Sequence, residues 1–343
     1  MPERDLVVLS EDPLNAETRL NEKTPAITPA GRHYVRTHFP IPAGPRSIVV
    51  DGASSTPAAI SFDEIRALPP RSIVVTLECA GNGRRFLDPN VPGEQWGLGA
   101  VGTATWTGAS LRDVLLRKVA IPTGTVELLF RGADEGVPKD LGRRIAYERS
   151  LPIGVGLRDE VLVAYLMEGQ PIPPEHGGPL RLIVPGWYGM ASVKWLARIT
   201  LLDAPFTGFF QKDRYVVGDR PLREIAPRAI LTHPEDGATV ERAFWVIGYA
   251  WSGAAPVVRV DMSRDGGEGW AAIPSSFLRP GPSPYGWTKF SHELLLLPGL
   301  DEEWALVVRA VDAAGNIQPL TPTWNTLGYA NNAARPTRIR VRS

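Results

Sequence analysis

The sequence predicts a mixed α+β domain followed by an all-β sandwich, and three observations lead there. At 343 residues the chain exceeds one ordinary domain. Its 34 Gly and 33 Pro make up nearly a fifth of the residues, more punctuation than a helix bundle tolerates. The texture also changes at Ile225: capped helix signals stop, and short apolar runs separated by turns take over. Hydrophobic residues, at 43 %, are numerous enough to form cores, which excludes a disordered chain.

The elements follow in order. Residues 1–24 are charged and mixed and read as a loose arm. Thr24–Pro45 is rich in Pro, His and Arg, so it reads as an ordered loop wrapping a body. Ser47–Asp51 is a short strand. Ser61 and Glu64 have the spacing of a capping box, opening a helix that Pro69-Pro70 stops. Arg71–Glu78 is β-branched and apolar, a buried strand that runs straight into Cys79 and the turn Ala80-Gly-Asn-Gly83. Ser110 caps a second helix expected to reach about Ala120. Strands follow at Thr125–Arg131, at Val161–Met167 entering a hairpin, at Leu180–Val184 and at Ser192–Leu202. The block lacks a βαβ rhythm, which disfavours a doubly wound sheet. The boundary falls between Pro221 and Pro227, giving domains at 25–222 and 225–343. In the second, Ala243–Ala250, Val257–Ser263, His292–Leu297 and Leu306–Asp312 have the spacing of a sandwich.

The 37 basic and 37 acidic residues balance, which removes the electrostatic drive toward nucleic acid or an anionic membrane. One Cys excludes an internal disulfide, a CxxC pair and any multi-Cys zinc or iron–sulfur site. The start of the chain leads only to the apolar run Leu6–Leu9, which is no signal-peptide core, and no run approaches a membrane span. The expectation is a soluble, cytoplasmic protein, or a periplasmic one whose leader has been removed.

Cys79 stands out because a thiol closing a buried strand and opening a Gly-rich turn is displayed rather than packed. The turn N–H groups and Arg84-Arg85 are expected to lower its pKa, favouring a thiolate that serves as nucleophile or soft metal ligand. The competing reading is an inert core cysteine. Arg36, His38, His176, Arg181 and Lys194 are interleaved with Gly-rich turns, as an anionic, phosphate-bearing cofactor requires, although any one alone reads as a solvated surface charge.

Six collinear stretches resemble the sulfite oxidase family of molybdenum enzymes: RTHFPIP (36–42), ECAGNGR (78–84), WTGASLRD (106–113), YERSLP (147–152), HGGPLRLIVPGWYGMASVKWL (176–196) and FFQKDRY (209–215). The tail resembles that family's immunoglobulin-like dimerisation domain. The resemblance implies a molybdopterin-binding α+β domain and an immunoglobulin-like sandwich, with molybdenum bound through Cys79. It places Tyr34, Arg36, His38, His176, Arg181, Ser192 and Lys194 among the residues that hold the molybdopterin. It makes Arg84 an anion-binding arginine beside the metal and Tyr215 the active-site tyrosine. The implied reaction is oxygen-atom transfer converting sulfite to sulfate. With a single Cys no CxxCH haem motif exists, and no haem domain is seen, so electrons are expected to pass to a separate acceptor such as a cytochrome c. A homodimer is implied as well. Two departures are visible: Gly83 and Leu327 stand where the family commonly has arginines. The neutral Leu327 keeps open a reductase acting on another S- or N-oxide, and a cofactor-free binding scaffold is the third reading.

Overall fold

The computed structural model describes residues 5–52, 55–295 and 302–342. The first of these are not a loose arm. Leu6–Glu11 pairs with Leu14–Thr18, and Asn15 and Ala16 pair in turn with Val35–Arg36, making a three-stranded sheet. Leu6, Ala16 and Val35 form a small core under it. Thr18 fastens it to the body, its N–H donating to Gly99 O (2.9 Å) and its hydroxyl to Val101 O (2.6 Å).

Two sheets build the N-terminal body. One runs Gln170–Pro171, Leu162–Met167, Val101–Ser110, Pro70–Glu78, with Arg181–Ile183 also on Leu162–Met167. The other runs Ser55–Ser61, Ser47–Gly52, Leu196–Leu202, Glu127–Gly136, Ile145–Pro152. Its Leu196–Leu202 is parallel to Ser47–Gly52 and antiparallel to Glu127–Gly136. The capping box forms as expected: Ser61 Oγ accepts from Glu64 N at 3.2 Å while the Glu64 carboxylate accepts from Ser61 N at 2.9 Å. The second helix, Leu111–Leu116, stops short of Ala120.

The body is therefore β-rich rather than evenly mixed. Among the described residues its α-helices are Phe62–Arg66, Leu111–Leu116, Ile153–Gly156 and Phe209–Lys212, each under two turns. None is long and apolar enough to cross a membrane. Frequent Gly and Pro cut every helix before it can propagate. Expected strands lengthen or shrink at their ends: Thr125–Arg131 becomes Glu127–Gly136, and Ser192–Leu202 begins only at Leu196.

The C-terminal domain is two packed sheets. Arg228–His233, Ala243–Trp251, Thr288–Leu295 and Leu278–Arg279 form the first. Thr239–Glu241, Thr337–Arg342, Glu302–Asp312, Val257–Ser263 and Ala271–Ala272 form the second. Phe244, Val246 and Phe290 of the first meet Val260, Leu306 and Ile339 of the second in one core. The period-two pattern is visible at Trp245, exposed between buried Phe244 and Val246. The expected strand His292–Leu297 is seen to Leu295, and its last two residues lie outside those described. Tyr249, Trp251 and Trp287 join the core of the N-terminal body instead, and Trp287 Nε1 donates to Ala26 O at 2.6 Å.

Candidate active site

The site starts where Pro70–Glu78 ends. Cys79 N–H donates to Ala100 O (2.8 Å), continuing the ladder with the neighbouring strand. The chain then turns, Asn82 N donating to Cys79 O at 2.9 Å and Arg84 N to Gly81 O at 3.0 Å. Gly83 completes the turn at φ +83°, a left-handed conformation, and a Cβ there would lie 3.1 Å from Asn331 O. That accounts for Gly83 at a position where the resemblance puts an arginine.

Cys79 is buried, yet it lines a partly open cavity. Tyr34, Arg36 and His38 reach the same cavity from the loop after the N-terminal hairpin. His176, Arg181, Ser192 and Lys194 reach it from the segment following Gln170–Pro171, and Tyr215 closes one side. The expectation of a lowered thiol pKa does not hold: burial pushes it up, outweighing Arg36, the Gly81 N–H and Arg84. Arg36 is the first of the charges acting on the thiol, ahead of Arg84.

Arg36 is anchored by the N-terminal hairpin. Its Nη1 donates to Asn15 Oδ1 at 3.0 Å and to the Thr37 carbonyl, while Asn15 Oδ1 also accepts from Thr37 N at 3.0 Å. Tyr215 and Cys79 raise its pKa further, against the pull of burial. Arg181 is held by two carbonyls, Nη1 donating to His176 O (2.6 Å) and Nη2 to Ser192 O (3.0 Å), and its Cζ lies 4.7 Å from the Trp106 ring centre. Burial lowers its pKa to about 10. Ser192 Oγ accepts from Val184 N at 3.0 Å, and His176 Nε2 donates to Ala30 O at 2.9 Å. Lys194 Nζ donates to Glu175 O at 3.0 Å; burial and Arg181 push its pKa well down, with Asp134 opposing.

Tyr215 sits at φ +55° with its hydroxyl 2.6 Å from His38 Nε2. Burial, Arg36 and Lys194 hold His38 well below the usual histidine range, so the ring is neutral and its tautomer sets which partner donates in the bond to Tyr215. Tyr147 stacks on His38 at 5.1 Å, and Tyr329 stacks on Tyr215 at 5.0 Å.

Arg84 does not line the cavity. Its Nη1 donates to Glu94 O (2.9 Å), its Nη2 to Leu327 O (3.2 Å), and its Cζ lies 5.1 Å from the Tyr329 ring centre. Added Cβ atoms at Gly81 and Gly328 would come within 2.9 Å of the guanidinium, so the glycines make room for it. It supports the thiol turn from behind, and Leu327 contributes a carbonyl while its side chain packs against the main core.

Sequence reasoning missed Asp134 and Tyr147, both of which line the cavity. Asp134 occupies an inward position in the alternation Leu128, Phe130, Gly132, Asp134, and a carboxylate at a core position was the available signal. Burial pushes its pKa up to about 6 against Lys194. Its Oδ1 is buried without a hydrogen-bond partner.

The comparisons agree with this geometry. Residues 38–210 match the family model described as oxidoreductase molybdopterin binding domain, and residues 220–342 match the Mo-co oxidoreductase dimerisation domain. The human mitochondrial sulfite oxidase is 35 % identical, covering 98 % of this chain, and the chain spans 66 % of that enzyme's length. A nitrate reductase [NADH] from rice (Oryza sativa subsp. japonica) is 32 % identical over 92 % of the chain and 38 % of its own. The sulfane dehydrogenase SoxCD from Paracoccus pantotrophus superposes with a TM-score of 0.80 at 24 % identity, covering 95 % of this chain and 84 % of that one. With a thiol-lined, cationic cavity in the segment that the first family model matches, the chain belongs to the sulfite oxidase family of molybdopterin oxidoreductases.

Proposed function

We propose that the protein oxidises sulfite to sulfate, using a molybdenum–molybdopterin group held in the Cys79 cavity and passing electrons to a separate acceptor such as a cytochrome c. The observation that carries this reading is the meeting of Cys79, Arg36 and the Tyr215–His38 pair on one cavity.

The residues present fit the cofactor. The cavity is walled by a soft sulfur donor, cations and hydrogen-bonding side chains, the lining such a group requires. The unpartnered Asp134 Oδ1 is an acceptor suited to ring N–H donors, and Arg181 and Lys194 suit anionic substituents. Cys79 offers a soft sulfur donor for the metal. When bound, the cofactor supplies the oxygen-atom transfer and the two-electron redox chemistry. The chain supplies position and charge. Arg36, anchored through Asn15, presents a fixed cation to an anionic substrate near the thiol. Burial raises the Tyr215 pKa well above the usual range and keeps the phenol protonated, while neutral His38 fixes its hydroxyl by a hydrogen bond. Aromatic walls at Tyr147, Phe210 and Tyr329 exclude water around that donor.

A second reading rests on Leu327. A neutral residue in place of an arginine suits a reductase acting on another S- or N-oxide, and the rice nitrate reductase is a relative of comparable identity. Steady-state assays on molybdenum-loaded protein separate the two. Sulfite with ferricyanide is expected to turn over, while methionine sulfoxide and nitrate with a reduced viologen are not; the reverse outcome assigns the reductase reading.

We further propose that the C-terminal sandwich is immunoglobulin-like and pairs two copies of the chain, in keeping with the dimerisation model it matches. Light scattering at micromolar concentration tests this, a monomeric mass refuting it.

A further inference from the structure

Glu78 immediately precedes Cys79 and is fully buried. Its partner is Arg228, from the first strand of the C-terminal sandwich, Oε1 and Nε lying 2.8 Å apart as a charge contact without hydrogen-bond alignment of the Nε–H, both side chains almost without solvent exposure. Asn82 Nδ2 also donates to Oε1 at 2.9 Å, and Trp251 Nε1, again from the sandwich, donates to Oε2 at 2.8 Å. Arg228 and two further residues from the C-terminal half, Ala330 and Asn331, bond the backbone of the thiol turn. Ala330 N donates to Ala80 O (2.8 Å), Arg228 Nη2 to Asn82 O (3.3 Å), and Asn331 Nδ2 to Gly83 O (2.8 Å). Arg228 Nη2 donates to Asn331 O as well, tying these contacts to each other.

Two buried charges can cost more in lost hydration than their attraction returns, and an uncharged pair of similar volume is often equally or more stable. Stability alone therefore accounts poorly for the pair. Its placement accounts for it better: one residue from the sulfur, it locks the side of the turn that the strand ladder does not reach. We propose that the Glu78–Arg228 ion pair positions the Cys79 thiol toward the metal, making the C-terminal domain part of the device that presents the ligand. Glu78 and Arg228 are positioning residues, and the inference rests on Cys79 being the ligand of the cofactor.

Cys79 is the only cysteine, so alkylation of the holoenzyme by iodoacetamide reports how often the thiol leaves the metal. The variant Glu78→Gln/Arg228→Met removes both charges together and keeps an acceptor for Trp251. Its melting temperature is expected within a few degrees of wild type. Cys79 alkylation is expected to be roughly ten- to hundredfold faster, with kcat falling by a similar factor and KM unchanged. Arg228→Lys retains the charge without the planar fork and is expected to fall between. Wild-type alkylation and kcat in the folded double variant would overturn the proposal. If that variant does not fold, Glu78→Gln alone decides by the same readouts, wild-type protection again overturning it. A wild-type protein that contains stoichiometric molybdenum yet alkylates freely would instead overturn the assignment of Cys79 as ligand.

Discussion

The Tyr215 hydroxyl lies 2.6 Å from His38 Nε2, on the wall of the cavity that Cys79 lines. Residues 177 positions apart thus share one proton inside a shell of aromatic rings. Tyr215→Phe removes the donor and keeps the stacking on Tyr329. The expected result is a fall in kcat/KM for sulfite of about a hundredfold with an unchanged melting temperature, measured by steady-state kinetics and calorimetry.

Cys79→Ser replaces a soft donor with a poor one for this metal. Turnover is expected to vanish and metal analysis to show molybdenum well below one per chain. Circular dichroism is expected to match wild type, because the main-chain bond from Cys79 N to Ala100 O does not involve the sulfur.

Asn15→Ala deletes the acceptor shared by Arg36 Nη1 and Thr37 N. The Arg36 guanidinium loses its anchor, so KM for sulfite is expected to rise about tenfold while molybdenum content stays at wild-type level.

Leu327→Arg adds a cation beside Arg84, whose bond to residue 327 goes to the main-chain carbonyl and survives the change. KM for sulfite is expected to stay within about twofold of wild type in steady-state assays, because residue 327 packs against the core and neither it nor Arg84 lines the cavity. A tenfold lower KM would instead show that the side chain at 327 reaches the substrate.

Asp134 supplies a pH signature. Its folded pKa, about 6, lies above the ordinary aspartate value, so the buried carboxyl favours the protonated form. Its contribution to stability is present at about pH 4 and is lost as pH rises through about 6. In protein made by a host unable to synthesise the pterin, the melting temperature of Asp134→Asn is expected to gain on wild type between pH 4 and about 6.5 and to run parallel above it.

The sequence made the cavity largely legible because its parts are local: a strand running into Cys79, a Pro-rich loop with Arg36 and His38, and Gly-rich turns near Arg181 and Lys194. What it hid was long-range. Val101–Ser110 is mostly Gly, Ala and Thr, too small and polar to announce a strand that pairs with all of Pro70–Glu78. The N-terminal hairpin looked loose because only two of its apolar residues, Leu6 and Ala16, are buried in its own core, while Thr18 fastens it to a distant strand. Arg84 was legible as a cation near Cys79, but its direction is set by carbonyls at Glu94 and Leu327, the latter 243 residues away. Asp134 was missed because Gly, Ala and two acids together read as a turn, whereas tertiary burial extends the strand through them.

Trp287 reaches Ala26, Tyr249 reaches Thr24, and both rings belong to the hydrophobic core that also contains Tyr188 and Tyr215. The two halves of the chain consequently cannot be exchanged like beads on a string. A chimera grafting a relative's tail onto this catalytic half has to import matching residues at 24–26 and 78–83, or it will expose aromatic surface on both sides of the graft.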